Sequence, residues 1–480
     1  MKIFLRYFIS AIYCIILPTV SACPSAPCII EYTDTLKAAE YFNKGEIFLK
    51  QAEYDSAYYY FRESGKIFKK AGDWDSFTQC LLKIGKYYIL TGDFDSSQVI
   101  LERADNVANN YLKNEPLIFK ELYHLKGRLL LKQGVYEKSI DYLVRSIEIG
   151  INSLGHADTI QIPVYNDLGT NYYYLGDYKK AIEYYRKGLE IGFDNKTEPG
   201  IEMAKIYRNL GIISWKKGDF EKARDYYQKD LKISEKFLQK DDPELASSYI
   251  NTGVLYKSLG KSDKALKYYN RAEKILSEKF GKKYYKLGTI YNNKAIVYKN
   301  KGEYDKATRY YNFALNIFKE DYQSNYYRIL KVYHNLGVVH YFKGEYEKAL
   351  ELLNVSISMG EKYQYPYLSN SYYYCAKCYE RLYQVEEAGN YFQLAINNLR
   401  KYYGNNHPDL ANQYIGYGTF CVQNGNREKG FVLYQKAYKI YDNVFGLKHP
   451  YISRCLTCFG DYRLEENKPE KALEYYQQAL

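Results

Sequence analysis

A 42-residue recurrence constrains this chain more than any other feature of its sequence. Seven small residues stand 42 residues apart, and four similar positions precede or follow them. Self-similarity at a period of this length is typical of proteins built from stacked supersecondary units. The seven anchor positions are Gly85, Gly127, Gly169, Gly211, Gly253, Ala295 and Gly337, and the outlying four are Gly45, Ala376, Gly418 and Gly460.

Each copy predicts two helices joined by a tight turn, because two apolar-periodic segments flank a glycine. Most copies have an aromatic residue four positions before the anchor and an alanine twelve positions after it. In the copy anchored at Gly211, Gly218 would end the first helix in a left-handed conformation and Asp219 would cap the second. Gly211 and Ala223 would let the two helices approach closely. A larger side chain there would cost roughly 1–3 kcal/mol.

This pattern resembles the signature of the tetratricopeptide repeat (TPR), in which an aromatic residue, a Leu-Gly pair, a tyrosine and an alanine recur at set spacings. The resemblance covers residues 35–480. It implies an all-α fold, a right-handed α-solenoid of about eleven helix–turn–helix units. The last unit stops at Leu480, inside its second helix.

The period of 42 resembles the kinesin light chain type of TPR array, as do the connectors between units. Asp242-Pro243, His407-Pro408 and His449-Pro450 share one offset before the anchor, and a proline behind a capping residue is a helix-start signal. Kinesin light chains lack a signal peptide and contain a coiled coil, whereas this sequence shows the reverse. The resemblance therefore extends to a ligand groove and not to motor-cargo function.

The first residues, MKIFLRYFISAIYCIILPTVSAC, predict a secretory signal. A basic start is followed by an apolar run, Tyr7 to Leu17, that is too short to span a membrane. We therefore predict a signal peptide over residues 1–22, a short tether over 23–34 and the TPR solenoid over 35–480. The ending VSAC resembles a bacterial lipobox, which implies that Cys23 is a lipid anchor; plain cleavage before Cys23 is the alternative. In both cases we expect an exported protein, lipid-anchored in the bacterial envelope or periplasmic.

A row of asparagines is the first candidate ligand site. Asn209, Asn251, Asn293 and Asn335 stand two positions before their anchors, 42 residues apart, and Asn166 is displaced by one. An asparagine amide both donates and accepts, so it could pair with the backbone of an extended peptide whatever its sequence. In related arrays this face of the first helix lines the groove. The alternative is that these amides bridge adjacent helices or satisfy local backbone groups.

Basic residues near this row are the second candidate set: Arg208, Lys205, Lys257 and Lys299. In a groove they would favour acidic side chains in the bound segment; the alternative is ordinary solvated charge. The formal net charge is +12, but the lysines and arginines are spread along the chain. A nucleic-acid-binding protein normally shows a basic patch or stripe, so we expect a protein or peptide partner and no nucleic acid.

The sequence shows no catalytic constellation, and we expect no enzyme activity, no cofactor and no metal. Cys375/Cys378 and Cys455/Cys458 form two CxxC pairs, but they lie in the ninth and eleventh units, too far apart to share one zinc ion. A disulfide between Cys378 and Cys421 is conceivable in an exported protein. Packing in the core is the alternative use of these cysteines.

Two functions remain open at this point. One is a binding scaffold of the bacterial envelope that captures an extended protein segment in its groove. The other is the N-terminal sensory half of a larger protein. Arrays of this subtype often precede a caspase-like CHAT protease domain or a histidine kinase, so this second function follows from the resemblance alone.

Overall fold

The fold is all-helical throughout the described part of the chain. A computed structural model describes residues 26–155, 158–194, 200–365, 368–445 and 450–480. These ranges contain 22 α-helices, one 3-10 helix at Thr159–Gln161 and no strand. The helices form eleven helix–turn–helix pairs, which confirms the predicted repeat architecture. The chain divides into two compact units, Met1–Ile275 and Leu276–Leu480.

The helices alternate between the first and second member of each pair. The first unit holds α1 (Ala26–Lys50), α2 (Tyr54–Lys70), α3 (Trp74–Thr91), α4 (Phe94–Tyr111), α5 (Pro116–Gln133), α6 (Tyr136–Leu154), α7 (Ile162–Tyr174), α8 (Tyr178–Asp194), α9 (Ile201–Lys216), α10 (Phe220–Phe237) and α11 (Pro243–Ser258). Helix α12 (Ser262–Phe280) runs through the division. The second unit holds α13 (Tyr285–Asn300), α14 (Tyr304–Glu320), α15 (Tyr322–Phe342), α16 (Tyr346–Lys362), α17 (Ser369–Arg381), α18 (Val385–Tyr403), α19 (Pro408–Gln423), α20 (Arg427–Phe445), α21 (Pro450–Glu465) and α22 (Pro469–Ala479).

Helix α1 begins ahead of the predicted array. It starts at Ala26, so residues 26–34, assigned above to a tether, are helical. The predicted signal peptide and Cys23 lie outside the described residues. No described helix is both long and apolar enough to cross a membrane.

The anchor glycines hold the two helices of a pair together. A Cβ atom built on Gly211 would lie 2.5 Å from the ring of Tyr227, and one on Gly169 or Gly253 would lie 2.6 Å from the equivalent tyrosine. The ring of Tyr227 is buried against the backbone of α9. The predicted close approach of the two helices is therefore confirmed. Its reason is that a tyrosine ring of the second helix fills the space that a side chain at the anchor position would need.

The turns and connectors follow the predicted chemistry. Gly218 has φ +77°, and the Asp219 carboxylate accepts from the backbone N–H of Lys222 at 3.2 Å. Pro243 opens α11 behind Asp242, whose carboxylate accepts from the Glu244 N–H. These contacts satisfy backbone donors that a helix N-terminus leaves unpaired.

Candidate functional site

The predicted asparagines all lie on first helices, on α9, α11, α13 and α15. Asn209 donates its amide to the side-chain oxygen of Asn166 at 2.9 Å, and Asn335 donates to Asn292 at 3.2 Å. Both bonds join first helices of successive pairs and span 43 residues. At these two positions the asparagine amides bridge adjacent helices, which is the structural alternative stated above. The side-chain oxygens of Asn209 and Asn335 take no part in these two bonds.

The other two asparagines of the row differ in burial. Asn251 is half-buried on α11, and Asn293 is only 8 % exposed on α13. A residue that is almost fully buried offers little surface to a ligand. Peptide binding by the complete row thus remains a prediction, with Asn251 more accessible than Asn293.

Arg208 lies in a buried ion-pair cluster of the first unit. Its guanidinium contacts both carboxylate oxygens of Asp230, at 3.1 and 3.2 Å, and Glu244 Oε2 at 2.8 Å. Asp230 is fully buried. Burial alone would lower the Arg208 pKa, but the Asp230 and Glu244 charges outweigh it and raise the pKa. Arg208 is therefore neither solvated nor available to a ligand carboxylate, and it ties α9 to α10 and α11.

A second charge cluster occupies the first helices of the same unit. Asp167 Oδ2 lies 3.0 Å from His124 Nε2 and 3.5 Å from Arg128 Nε. Burial would raise the pKa of Asp167, but the neighbouring cations, Arg128 first, lower it to about 2. Nearby, Lys205 pairs with Glu202 at 2.8 Å. In this part of the first unit, the protein's own carboxylates therefore neutralise several first-helix cations.

The second unit contains a polar cavity of about 330 Å³ on its first helices, here named the first-helix cavity. Two predicted residues, Lys299 and Asn335, line it together. The complete lining is Lys299, His334, Asn335, Val338, Asn370, Tyr373, Tyr374, Asn412, Gln413 and Arg454. These residues come from α13, α15, α17, α19 and α21, so the structure gathers five first helices around one space.

The charge of the first-helix cavity is positive. None of its described lining residues is acidic, and Lys299 and Arg454 are cationic. Burial lowers the Lys299 pKa. Burial, together with the Lys299 charge, lowers the His334 pKa to about 4, so His334 is neutral near pH 7. Neutral His334 lies with Nδ1 2.9 Å from Ser371 Oγ.

The amides of the first-helix cavity are held in defined orientations. The side-chain oxygen of Asn412 accepts from the Tyr441 hydroxyl at 2.8 Å and from Arg454 Nη1 at 3.3 Å. That of Asn370 accepts from Gln413 Nε2 at 3.4 Å. These bonds use the oxygens, so the amino groups of Asn370 and Asn412 are left as donors.

Sequence reasoning missed most of this cavity, although a signal was present. Asn370, Asn412 and Arg454 stand 42 residues apart, six positions before their anchors. The predicted asparagine row stands two positions before the anchor. The amides of Asn370 and Asn412 therefore lie about one helical turn earlier on their first helices than that row does. Tyr374 and Gly416 occupy the former row in these units.

The remaining predicted chemistry does not form a site in the described residues. Lys257 is half-buried at the end of α11 and is not one of the residues that line the first-helix cavity. Cys378 and Cys421 are free and buried in separate hydrophobic clusters. Among the described residues, no group of three or more histidine, cysteine or acidic side chains is arranged to hold a metal ion.

Comparison with known proteins places the chain in a family. A tetratricopeptide repeat model matches residues 121–192, 202–278, 286–362 and 413–480, more than half of the chain, and a second matches 166–236. The protein belongs to the tetratricopeptide repeat family. No curated protein sequence matches it.

Solved structures with a similar fold share little sequence with the chain. A STAND protein with a tetratricopeptide repeat sensor from Pyrococcus horikoshii has a TM-score of 0.53 at 15% identity, over 86% of this chain and 65% of that one. A Rap protein complexed with competence and sporulation factor has a TM-score of 0.49 at 12% identity, over 84% and 96%. A putative kinesin light chain from Podosopora anserina with TPR-like repeats has 0.36 at 18%, over 42% and 98%. A kinesin light chain is thus among the structural neighbours.

Proposed function

We propose that this TPR scaffold binds an extended, acidic segment of another protein on the first helices of its second unit. The observation that carries the proposal is the first-helix cavity, where Lys299 and Arg454 face a space without acidic lining. The amino groups of Asn370 and Asn412 can donate to backbone carbonyls, and the two cations can pair with carboxylates. Because five first helices contribute, the bound segment would extend across several repeats.

We infer that the protein is a binding protein without catalytic activity, exported to the bacterial envelope by its signal peptide and anchored through Cys23. The signal-like composition of residues 1–22 and the lipobox-like VSAC support this setting. Metabolic labelling with a palmitate analogue tests the anchor: wild type should be labelled, and a Cys23→Ser variant should not.

A sensory role within a larger protein is the second candidate. It is favoured by the fold likeness to the STAND protein, whose array is described as a sensor. In that case, ligand binding on the first helices would be the signal that the larger protein senses. Transcript sequencing past the Leu480 codon distinguishes the two: an effector domain in frame supports the sensor, and a stop codon supports the stand-alone scaffold.

Peptide capture tests the main proposal. An arrayed library of acetylated, amidated peptides is probed with wild type, and the tightest binder is titrated against Asn370→Ala/Asn412→Ala and Lys299→Met variants. Each variant should weaken binding about tenfold or more, the loss expected from two neutral hydrogen bonds or from one charge-assisted bond. The matched control is Lys205→Met, because Lys205 already pairs with Glu202. Equal affinity of wild type and all variants would refute the site, and unchanged melting temperatures would exclude unfolding as the cause.

A further inference from the structure

One position on the second helices carries a cation in most repeats and an apolar residue in three. Eighteen residues after the anchor, six repeats carry a cation: Arg103, Arg145, Lys187, Lys229, Arg271 and Lys436. Three of these cations lie over the ring of the tyrosine that precedes the anchor by four: Lys229 over Tyr207 at 5.6 Å, Arg271 over Tyr249 at 5.4 Å and Lys436 over Tyr414 at 5.8 Å. Cation–π contacts of this kind occupy the ring face and leave a charged, hydrated surface.

Three consecutive repeats, all in the second compact unit of the chain, have an apolar residue in place of this cation. The replacements are Phe313, Val355 and Leu394, here named the apolar row. Their exposed fractions are 50, 37 and 45 %. Single exposed apolar residues are ordinary on a protein surface, but a set that recurs in register over adjacent units indicates an interaction surface.

A cavity lies at the first member of the apolar row. Its volume is about 500 Å³, and Tyr291, Phe313 and Ile317 form its apolar wall. The Phe313 ring lies 5.7 Å from the Tyr291 ring. A cavity of this size accommodates a large apolar side chain or a ligand of similar size. It is lined by α13, α14 and the connector before them, and it shares no residue with the first-helix cavity.

The rim of this Phe313 cavity favours a negatively charged group on a bound partner. Lys282 and Lys283 border it, together with Glu320. Lys283 Nζ pairs with Glu320 at 2.8 Å, which leaves the exposed Lys282 as the excess positive charge of the lining. A partner carboxylate next to an apolar group would meet complementary charge at this rim.

From these observations we propose that the apolar row and the Phe313 cavity form a second docking surface for a protein segment. That segment inserts an aromatic or large aliphatic side chain beside Phe313 and places a carboxylate against Lys282. The surface is separate from the first-helix cavity, so the protein would contact a partner at two places.

The repeats themselves supply the test variant. Phe313→Lys installs the residue that the units of Lys229 and Lys436 already carry at this position, so the variant should fold while its cavity becomes charged. The probe is anilinonaphthalene sulfonate, which combines an apolar ring system with an anion. The competitor is an acetylated, amidated Asp-Asp-Phe-Asp-Asp peptide. Val432→Lys is the control, since Val432 is an exposed valine on α20 outside the row.

We expect Phe313→Lys to weaken dye binding at least about fivefold, equivalent to roughly 1 kcal/mol, and Val432→Lys to leave it unchanged. The acidic peptide should displace the dye, and Lys-Lys-Phe-Lys-Lys should not. Equal dye binding by wild type and Phe313→Lys, or equal displacement by both peptides, would overturn the proposal.

Two further measurements keep the outcome unambiguous. Should Phe313→Lys fail to fold by circular dichroism, Lys282→Glu reverses the rim charge at an exposed position and should lower dye affinity by a similar factor. Binding of wild type, but not of Phe313→Lys, to phosphatidylglycerol vesicles without displacement of dye by the acidic peptide would assign the surface to membranes and reject a protein partner. Peptide binding at the first-helix cavity is measured in parallel with Lys299→Met. Its loss in that variant reports on the first-helix cavity alone.

Discussion

At the scale of single residues, the repeats act as controls for one another. The same position is occupied in one unit by a residue with a partner and in another by a residue without one. Thr170 Oγ1 lies 3.1 Å from the hydroxyl of buried Tyr185, whereas the buried hydroxyl of Tyr269 has no hydrogen-bond partner among the described residues. The residue equivalent to Thr170 is Val254.

Val254→Thr should therefore stabilise the protein by about 1 kcal/mol, because it supplies a hydroxyl partner to a buried polar atom. Thr170→Val should destabilise by a similar amount, because it leaves the Tyr185 hydroxyl unpaired. Urea denaturation of the two variants and wild type measures both effects. A destabilised Val254→Thr would show that the Tyr269 hydroxyl is satisfied by another route.

Tyr383 is the second residue whose repeat context predicts a change in stability. It has φ +59° and is 91 % exposed, at the turn position where eight other units have glycine. A bulky residue in the left-handed region is strained. Tyr383→Gly should raise the free energy of unfolding by about 1 kcal/mol, and Tyr383→Ala should give a smaller gain because it keeps a Cβ. Equal values for the two variants would place the effect in the aromatic ring and not in the backbone.

At the scale of helices, the ion-pair cluster at Arg208 joins three elements. Its guanidinium reaches from α9 to Asp230 on α10 and Glu244 on α11. Because Asp230 is fully buried, removing its partner leaves a desolvated charge.

Arg208→Met should destabilise the protein by about 3–5 kcal/mol for this reason. Adding Asp230→Leu to Arg208→Met should recover part of the loss, since the buried charge is then absent. Thermal denaturation of both variants measures this. Lys205→Met is the comparison, and its partly exposed i,i+3 pair with Glu202 should contribute under about 1 kcal/mol. Similar losses for Arg208→Met and Lys205→Met would contradict a buried role for Arg208.

At the scale of the whole molecule, stability should depend on pH through His334. Its folded pKa of about 4 lies below the ordinary value of 6.5, so the unfolded chain binds the proton first as pH falls. The contribution of neutral His334 is complete above pH 6.5 and is lost progressively down to pH 4. The loss approaches about 3 kcal/mol at most.

The measurement is urea denaturation between pH 7 and pH 4 for wild type and His334→Gln. The variant should lose less stability over this interval because glutamine does not titrate. The other cations at this cavity, Lys299 and Arg454, are common to both proteins. Parallel curves for the two proteins would show that His334 is not the responsible group.

The sequence alone determined the repeat unit, its turns and its family. A 42-residue period, the Gly-Asp turns and the prolines behind capping residues act over short distances, so they specify local structure directly. Sequence reasoning also placed Lys299 and Asn335 on the face that lines the first-helix cavity. It did not foresee that Arg208 would be buried, because Asp230 and Glu244 approach it only when α9, α10 and α11 pack together.

Tertiary structure alone decided which polar side chains are available to a ligand. Asn209 and Asn335 share a sequence position, and both donate to the preceding first helix. Asn370, Asn412 and Arg454 come to line one space with Lys299 because their helices pack side by side. Periodicity reports which residues share a face, whereas hydrogen bonding and burial between successive helices depend on distances that no single repeat contains.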